Sequence, residues 1–255
     1  MGTFRRRLGR LRRGLAGRAR AFLRPPRPLR IGGYRPPTPD RPRTAAESAA
    51  TDAFHRAYYD AWLDRQGTLD LAWFGYRTMK SPMDLWAYQE ILAETRPDVV
   101  VECGTAFGGS AYYLASLLDL LGRGEVVTID IEARPGLPIH PRITRLVGSS
   151  TDPAIVAEVR RRVGGRRAMV VLDSDHSQAH VAAELEAYRS LVAPGCYLVV
   201  EDTNINGHPV AADFGPGPME AVEAFLPSAP EFEVDRSRER FLLTLNPSGY
   251  LRRVR

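Results

Sequence analysis

Four carboxylates and one imidazole gather at the ends of two apolar runs of this chain. Met169-Val-Val-Leu-Asp-Ser-Asp-His176 and Tyr197-Leu-Val-Val-Glu-Asp-Thr-Asn204 each read as a buried strand that finishes in acid. An open parallel sheet presents the carboxyl ends of its strands at one edge, where ligands bind. Asp173, Asp175, Glu201 and Asp202 would converge there, and unpaired carboxylates that close repel one another strongly. A divalent cation relieves the repulsion. All-oxygen donors favour Mg²⁺ or Mn²⁺ over Zn²⁺, and Mg²⁺ keeps positions open for water or substrate oxygens. The competing reading is that these acids cap helix starts or pair with arginines. His176 suits a general base beside the metal, against the alternatives of an orienting residue or a plain helix-start histidine. His180 and His208 are weaker candidates, because H-x-x-x-H without the zincin glutamate is not a metal motif.

Another apolar run, residues 99–101, ends at Glu102 and opens into a glycine loop with Gly104, Gly108 and Gly109, after which helix-like spacing resumes. The glycines match neither G-x-G-x-x-G nor a P-loop, and no lysine follows to meet a triphosphate. About twenty residues further on, Glu125-Val-Val-Thr-Ile-Asp130 is a second such strand, with its acid placed for the two hydroxyls of a ribose. Acid, glycines, then acid suits S-adenosylmethionine (SAM), with Glu102 near the methionine amino group and Asp130 near the ribose. The bland alternative is an ordinary α/β sheet whose strands happen to end in carboxylates.

Positioning these groups requires alternating elements. Strands are expected near 98–103, 125–130, 142–147, 168–174, 196–201 and 241–246, with helices near 109–121, 153–163, 178–191 and 217–226. That alternation predicts an α/β, doubly wound, mostly parallel sheet of three layers. Further helices are expected at 45–63, where Phe54, Tyr58, Tyr59 and Trp62 form an aromatic face, and at 83–94. The organisation reads as a basic Arg/Pro-rich tail and linker (1–43), a helical cap (44–95) and a cofactor-binding domain (96–255). At 255 residues and 44% hydrophobic content the chain can bury one good-sized core.

Charge is segregated. Residues 1–43 hold 14 arginines against one acid, whereas the remainder holds 21 basic and 29 acidic residues, so the net +5 describes the tail and not the domain. Residues 1–23 space Phe4, Leu8, Leu11 and Leu15 among arginines as a basic amphipathic helix does on an anionic membrane; a solvated basic extension or an organelle transit peptide are the alternatives. Cys103 and Cys196 read as core residues, which excludes a disulfide framework and fits a cytoplasmic setting. No run of 18 apolar residues predicts a transmembrane helix.

Six motifs between Lys80 and Arg252 are specific only together: Lys80-Ser-Pro82, Val101-Glu-Cys-Gly-Thr-Ala-Phe-Gly-Gly-Ser110, Leu172-Asp-Ser-Asp-His-Ser177, Val200-Glu-Asp-Thr-Asn-Ile-Asn-Gly-His208, Gly215-Pro-Gly-Pro218 and Asp235-Arg-Ser-Arg-Glu239. Through them the chain resembles the cephalosporin hydroxylase/rhamnosyl O-methyltransferase family. The resemblance implies a seven-stranded, Rossmann-like class I methyltransferase sheet and a homo-oligomer. SAM would be held by Glu102, Gly104, Thr105 and Asp130, with the loop at Gly148-Ser-Ser150 near the adenine. Mg²⁺ would sit on Asp175, Glu201 and Asp202. In related metal-dependent sugar methyltransferases a carboxylate lies three residues before a catalytic histidine, which points instead to Asp173 with His176; spacing does not separate Asp173 from Asp175.

The expected reaction is Mg-dependent methyl transfer from SAM to a hydroxyl of a small molecule, a rhamnosyl-type sugar on a natural product or glycolipid. His176 would be the base, and the loop at 206–218 would close over the acceptor. The rivals are an oxygenase component of antibiotic biosynthesis and a non-catalytic SAM-fold partner protein. A nucleic-acid substrate is disfavoured, since the basic residues lie outside the predicted domain and no Asn-Pro-Pro-Tyr-like signature appears.

Overall fold

A computed structural model describes residues 43–64 and 71–255. The amphipathic helix expected over 1–23 and the proline-rich linker lie outside the described residues. Helix α1 (Ala45–Asp64) precedes a short antiparallel hairpin, β1 (Ala72–Trp73) with β2 (Tyr76–Arg77), and then α2 (Pro82–Thr95). The alternating part follows: β3 (Val99–Cys103), α3 (Gly109–Leu121), β4 (Glu125–Asp130), β5 (Ile143–Val147), α4 (Pro153–Val163), β6 (Ala168–Leu172), α5 (Gln178–Tyr188), β7 (Tyr197–Val200), α6 (Pro218–Phe225), β8 (Phe232–Val234) and β9 (Tyr250–Arg253).

The main sheet has seven strands in the order β5-β4-β3-β6-β7-β9-β8. The first five run parallel, and β9 is antiparallel to both β7 and β8. Every residue of β3, β6 and β7 is buried, as expected for strands covered on both faces. The two-residue period divides them cleanly. Val99, Val101, Val170, Leu172, Leu198 and Val200 pack with α4, α5 and α6, whereas Val100, Met169, Val171, Tyr197 and Val199 pack with α2 and α3. Burying one such side chain contributes about 1.5–3 kcal/mol, so both layers resist a register slip. Cys103 and Cys196 are buried free thiols in this core.

The strand expected at 241–246 is absent. That segment is irregular, with Leu242 at φ 72°. Its alternating Leu243 and Leu245 are buried as a strand's would be, yet the backbone bonds a side chain in place of a neighbouring strand. The amide of Leu245 donates to Asp84 Oδ2 at 2.9 Å, and the Thr244 hydroxyl donates to Asp84 Oδ1. The sheet closes with β8 and β9 on either side of this segment in the chain.

Candidate active site

Chain order reverses direction between β3 and β6, and the loops leaving those adjacent strand ends diverge to form a crevice. Gly104 leaves β3 at φ +97°, and a Cβ there would lie 1.8 Å from the Asp173 carbonyl oxygen, so only glycine lets the two loops touch. Beside it lies a cavity of about 380 Å³, lined among others by Gly104, Asp130, Gly148, Ser150, Ser174 and His180. That is within the range of small-molecule sites. Asp130 ends β4 with its carboxylate fixed by backbone amides: Oδ2 accepts from Thr105 and Ala106 at 3.1 and 2.8 Å, and Oδ1 accepts from Glu132 at 2.9 Å. Oδ2 has both lone pairs taken, and Oδ1 keeps one for a ligand hydroxyl.

Of the residues expected at a cofactor, Gly104, Asp130 and Ser150 line this cavity. Thr105 and Glu102 do not. Thr105 supports the cavity from behind, through its amide on Asp130 and its hydroxyl 2.7 Å from that of Thr128. Glu102 is fully buried inside the sheet, where Oε2 accepts from Thr128 at 2.7 Å and Oε1 has no hydrogen-bond partner among the described residues. Burial pushes its pKa up against the opposing pull of Lys80.

The acidic cluster resolves into two groups. Asp173, His176 and Asp202 offer ligand atoms within 4.8 Å of one another, and His176 Nε2 is 3.2 Å from Asp202 Oδ2. Burial raises the Asp202 pKa, and the Asp173 charge adds to it while His176 opposes. A bound cation would relieve that cost, so these donors fit Mg²⁺ chemically. Asp202 itself adopts φ 55°, with its amide held at 3.0 Å by Asn246 Oδ1.

Asp175 and Glu201, expected as metal ligands, are elsewhere. Asp175 is exposed and turns to the start of α5, accepting from the Ser177 amide at 2.8 Å, which holds its pKa low. This is an Asx turn just ahead of the N-cap residue, Ser177. Glu201 is buried and bonded by two groups, Lys80 Nζ at 2.9 Å from Oε2 and the Tyr88 hydroxyl on Oε1. The structure therefore brings Asp173 to the cluster in place of Asp175, and a lysine takes up Glu201.

Lys80 belongs to the Lys80-Ser-Pro82 motif, but its partners are not readable from spacing: Asp173, to which it also bonds, lies 93 residues away. It sits immediately before the Ser81 cap of α2, whose side chain accepts from the Asp84 amide, and so points inward. Desolvation would lower its pKa, but Asp173 and Glu201 more than offset that, and the ammonium stays charged. Lys80 also lines a narrow cleft with Tyr58, Tyr59 and Trp62 of α1, Met79 and Leu245. Asn204 Nδ2 donates to His55 at 2.9 Å and ties α1 to the loop after β7. His208 lies outside the cluster, 2.9 Å from Glu220 of α6.

Comparison with known proteins finds relatives over most of the chain. The family model described as Rhamnosyl O-methyltransferase/CmcI matches residues 66–254. Proteins named rhamnosyl O-methyltransferase from Mycobacterium bovis and Mycobacterium tuberculosis are each 40% identical over 211 residues, covering 80% of this chain and 84% of theirs. One from Mycobacterium leprae is 39% identical over 207 residues, covering 78% of this chain and 89% of its own. Among solved structures, an apo form of CmcI superposes with a TM-score of 0.57 at 22% identity, over 87% of this chain and 90% of that one. A CmcI structure described as Mg-SAM gives 0.56 at 23% identity, with the same coverage. These structural likenesses establish the shared fold, and the sequence matches establish that the chain belongs to the rhamnosyl O-methyltransferase/CmcI family and is an O-methyltransferase.

Proposed function

We propose that this chain transfers the methyl group of SAM to a hydroxyl of a rhamnosyl-type sugar, with Mg²⁺ held by Asp173 and Asp202. The observation that carries the reading is the shared position of Asp173, which both lines the 380 Å³ cavity and belongs to the donor cluster with His176 and Asp202. A methyl donor in the cavity and an acceptor at the cluster would then meet. SAM supplies an electrophilic methyl carbon and the metal makes a sugar hydroxyl more acidic.

The protein's own groups do the rest. Asp130 accepts from a ribose hydroxyl, and the loop through Gly148 and Ser150 lies along the adenine side of the cavity. His176 takes the proton of the acceptor hydroxyl, and the Asp202 carboxylate 3.2 Å from its Nε2 stabilises the imidazolium so formed. Lys80 keeps Asp173 and Glu201 in fixed orientation. Tyr58, Tyr59 and Trp62 of α1 close over Lys80 around a space of only about 10 Å³, so residues 44–95 act as a cap on the domain at 96–255. Proteins at about 40% identity carry the rhamnosyl name, which supports that acceptor class.

An oxygenase of the non-haem iron type would use two histidines and one carboxylate, and the cluster has one histidine and two carboxylates. Among the described residues no helix is long and apolar enough to cross a membrane. The arginine-rich tail is proposed as a peripheral contact for an anionic membrane, which would bring the enzyme to a lipid-linked acceptor.

Calorimetry of SAM and Mg²⁺ on the wild type, Asp130→Ala and Asp202→Asn tests the reading. Loss of cofactor binding in the first variant and of the metal signal alone in the second is expected, followed by S-adenosylhomocysteine release with a rhamnosyl acceptor. A wild type that binds no cofactor overturns it.

A further inference from the structure

Beneath the cofactor cavity lies a buried polar relay that the reaction itself does not use. Glu184 of α5 is fully buried, yet its Oε1 accepts from two hydroxyls, Ser150 and Ser174, the latter at 2.7 Å. Its Oε2 has no hydrogen-bond partner among the described residues. One turn earlier, His180 lines the cavity and places Nε2 3.1 Å from Ser150 Oγ and 3.5 Å from Glu184 Oε1. The Tyr188 hydroxyl donates to the Ser150 carbonyl at 2.6 Å and fixes the backbone of the same loop.

The donors and acceptors can be arranged in one consistent way. A carboxylate only accepts, so the Ser150 hydroxyl proton points to Glu184 and its lone pairs face His180. His180 must then carry its proton on Nε2; its bond to Glu184 raises its pKa, and at pH values above that pKa the imidazole is neutral and Nδ1 is left as a bare acceptor. A single anionic residue therefore sets the tautomer of a ring that borders the cavity.

Resting on the SAM-binding reading above, we propose that His180, held in its Nε2–H tautomer by Ser150 and Glu184, recognises the adenine base by accepting at Nδ1 from the exocyclic amino group. Asp130 and Ser150 line the same cavity as His180, so ribose and base have separate anchors. A site that accepts from an amino group should reject a base carrying oxygen at that position, since two acceptors would then face each other.

The test is calorimetric titration of the full chain at alkaline pH, where His180 is neutral, with S-adenosylhomocysteine and with S-inosylhomocysteine, which differs in having an oxo group in place of the amino group. The wild type should prefer the adenine form by about tenfold or more, the scale of one hydrogen bond replaced by a mismatch. His180→Leu should lower that ratio to near one, mainly by weakening the adenine form. His180→Gln, whose amide oxygen can accept in turn, should restore part of the preference. Equal affinity of the wild type for both ligands overturns the proposal while leaving the cofactor reading intact, and so does His180→Leu with an undiminished ratio. A wild type that binds neither ligand overturns both. Thermal melting of each variant separates misfolding from lost recognition, and the ratio of two ligands on one protein is insensitive to a fraction of unfolded chain.

Discussion

Asp202 combines two demands at one position: a left-handed backbone at φ 55° and a carboxylate in the donor cluster. Asparagine tolerates that backbone as aspartate does. Asp202→Asn should therefore keep the fold and cofactor affinity while weakening Mg²⁺ binding by about tenfold or more, read by calorimetry. His176→Asn should leave the SAM dissociation constant unchanged and lower kcat by about 10²–10⁴, the usual scale of general base catalysis, measured by S-adenosylhomocysteine release. The site was partly legible in sequence at this scale. Asp130, Asp173, Asp202 and His176 announce themselves because they follow apolar runs whose ends must share an edge. Asp175 does so equally, yet it lies outside the donor cluster, since spacing does not tell a strand-tip ligand from an acid that makes an Asx turn onto the Ser177 amide. The partners of Lys80 were hidden for the opposite reason: they arrive through tertiary folding. Glu184 could have been found, since it stands four residues after His180 and shares its helix face.

At the level of elements, the loop from β7 to α6 hangs on Glu220. Its side chain accepts from the Gly217 amide at 2.7 Å and from Asn206 at 2.9 Å, and pairs with His208. Burial would raise its pKa, but these bonds outweigh it and pull the carboxyl from 4.5 down to about 2. A group depressed on folding stabilises fully above its unfolded value, and the contribution disappears as pH falls through the folded one. Loop anchorage should thus be complete above about pH 4.5 and fail toward about pH 2. Comparing melting temperatures of wild type and Glu220→Gln across that window should show a flatter acid dependence in the variant. The parallel strands were readable as short apolar runs between helices. The irregular segment at 241–246 was not, because its leucines alternate like a strand's and only the Asp84 carboxylate, more than 150 residues away, decides against it.

For the whole molecule, charge separates two regions: residues 1–43 are strongly basic, and the remainder carries more acid than base. Binding to anionic vesicles should therefore belong to the tail. A chain lacking residues 1–43 should bind S-adenosylhomocysteine with unchanged affinity and cease to co-sediment with such vesicles, and raising salt should release the full chain in the same assay. Unchanged co-sedimentation after removal would place the contact on the domain.

The strand order has a consequence for how the molecule is made. Strand β9 comes after β8 in the chain but lies between β8 and β7 in the sheet. During synthesis β8 emerges with no neighbour to pair with, and β7 presents a bare edge until Tyr250–Arg253 has left the ribosome. Until then the nascent chain carries two unsatisfied strand edges, the kind of surface that recruits chaperones or other chains. A stop codon ahead of Tyr250 would leave that condition permanent, so the loss of β9 should appear as insolubility before any loss of catalysis could be measured.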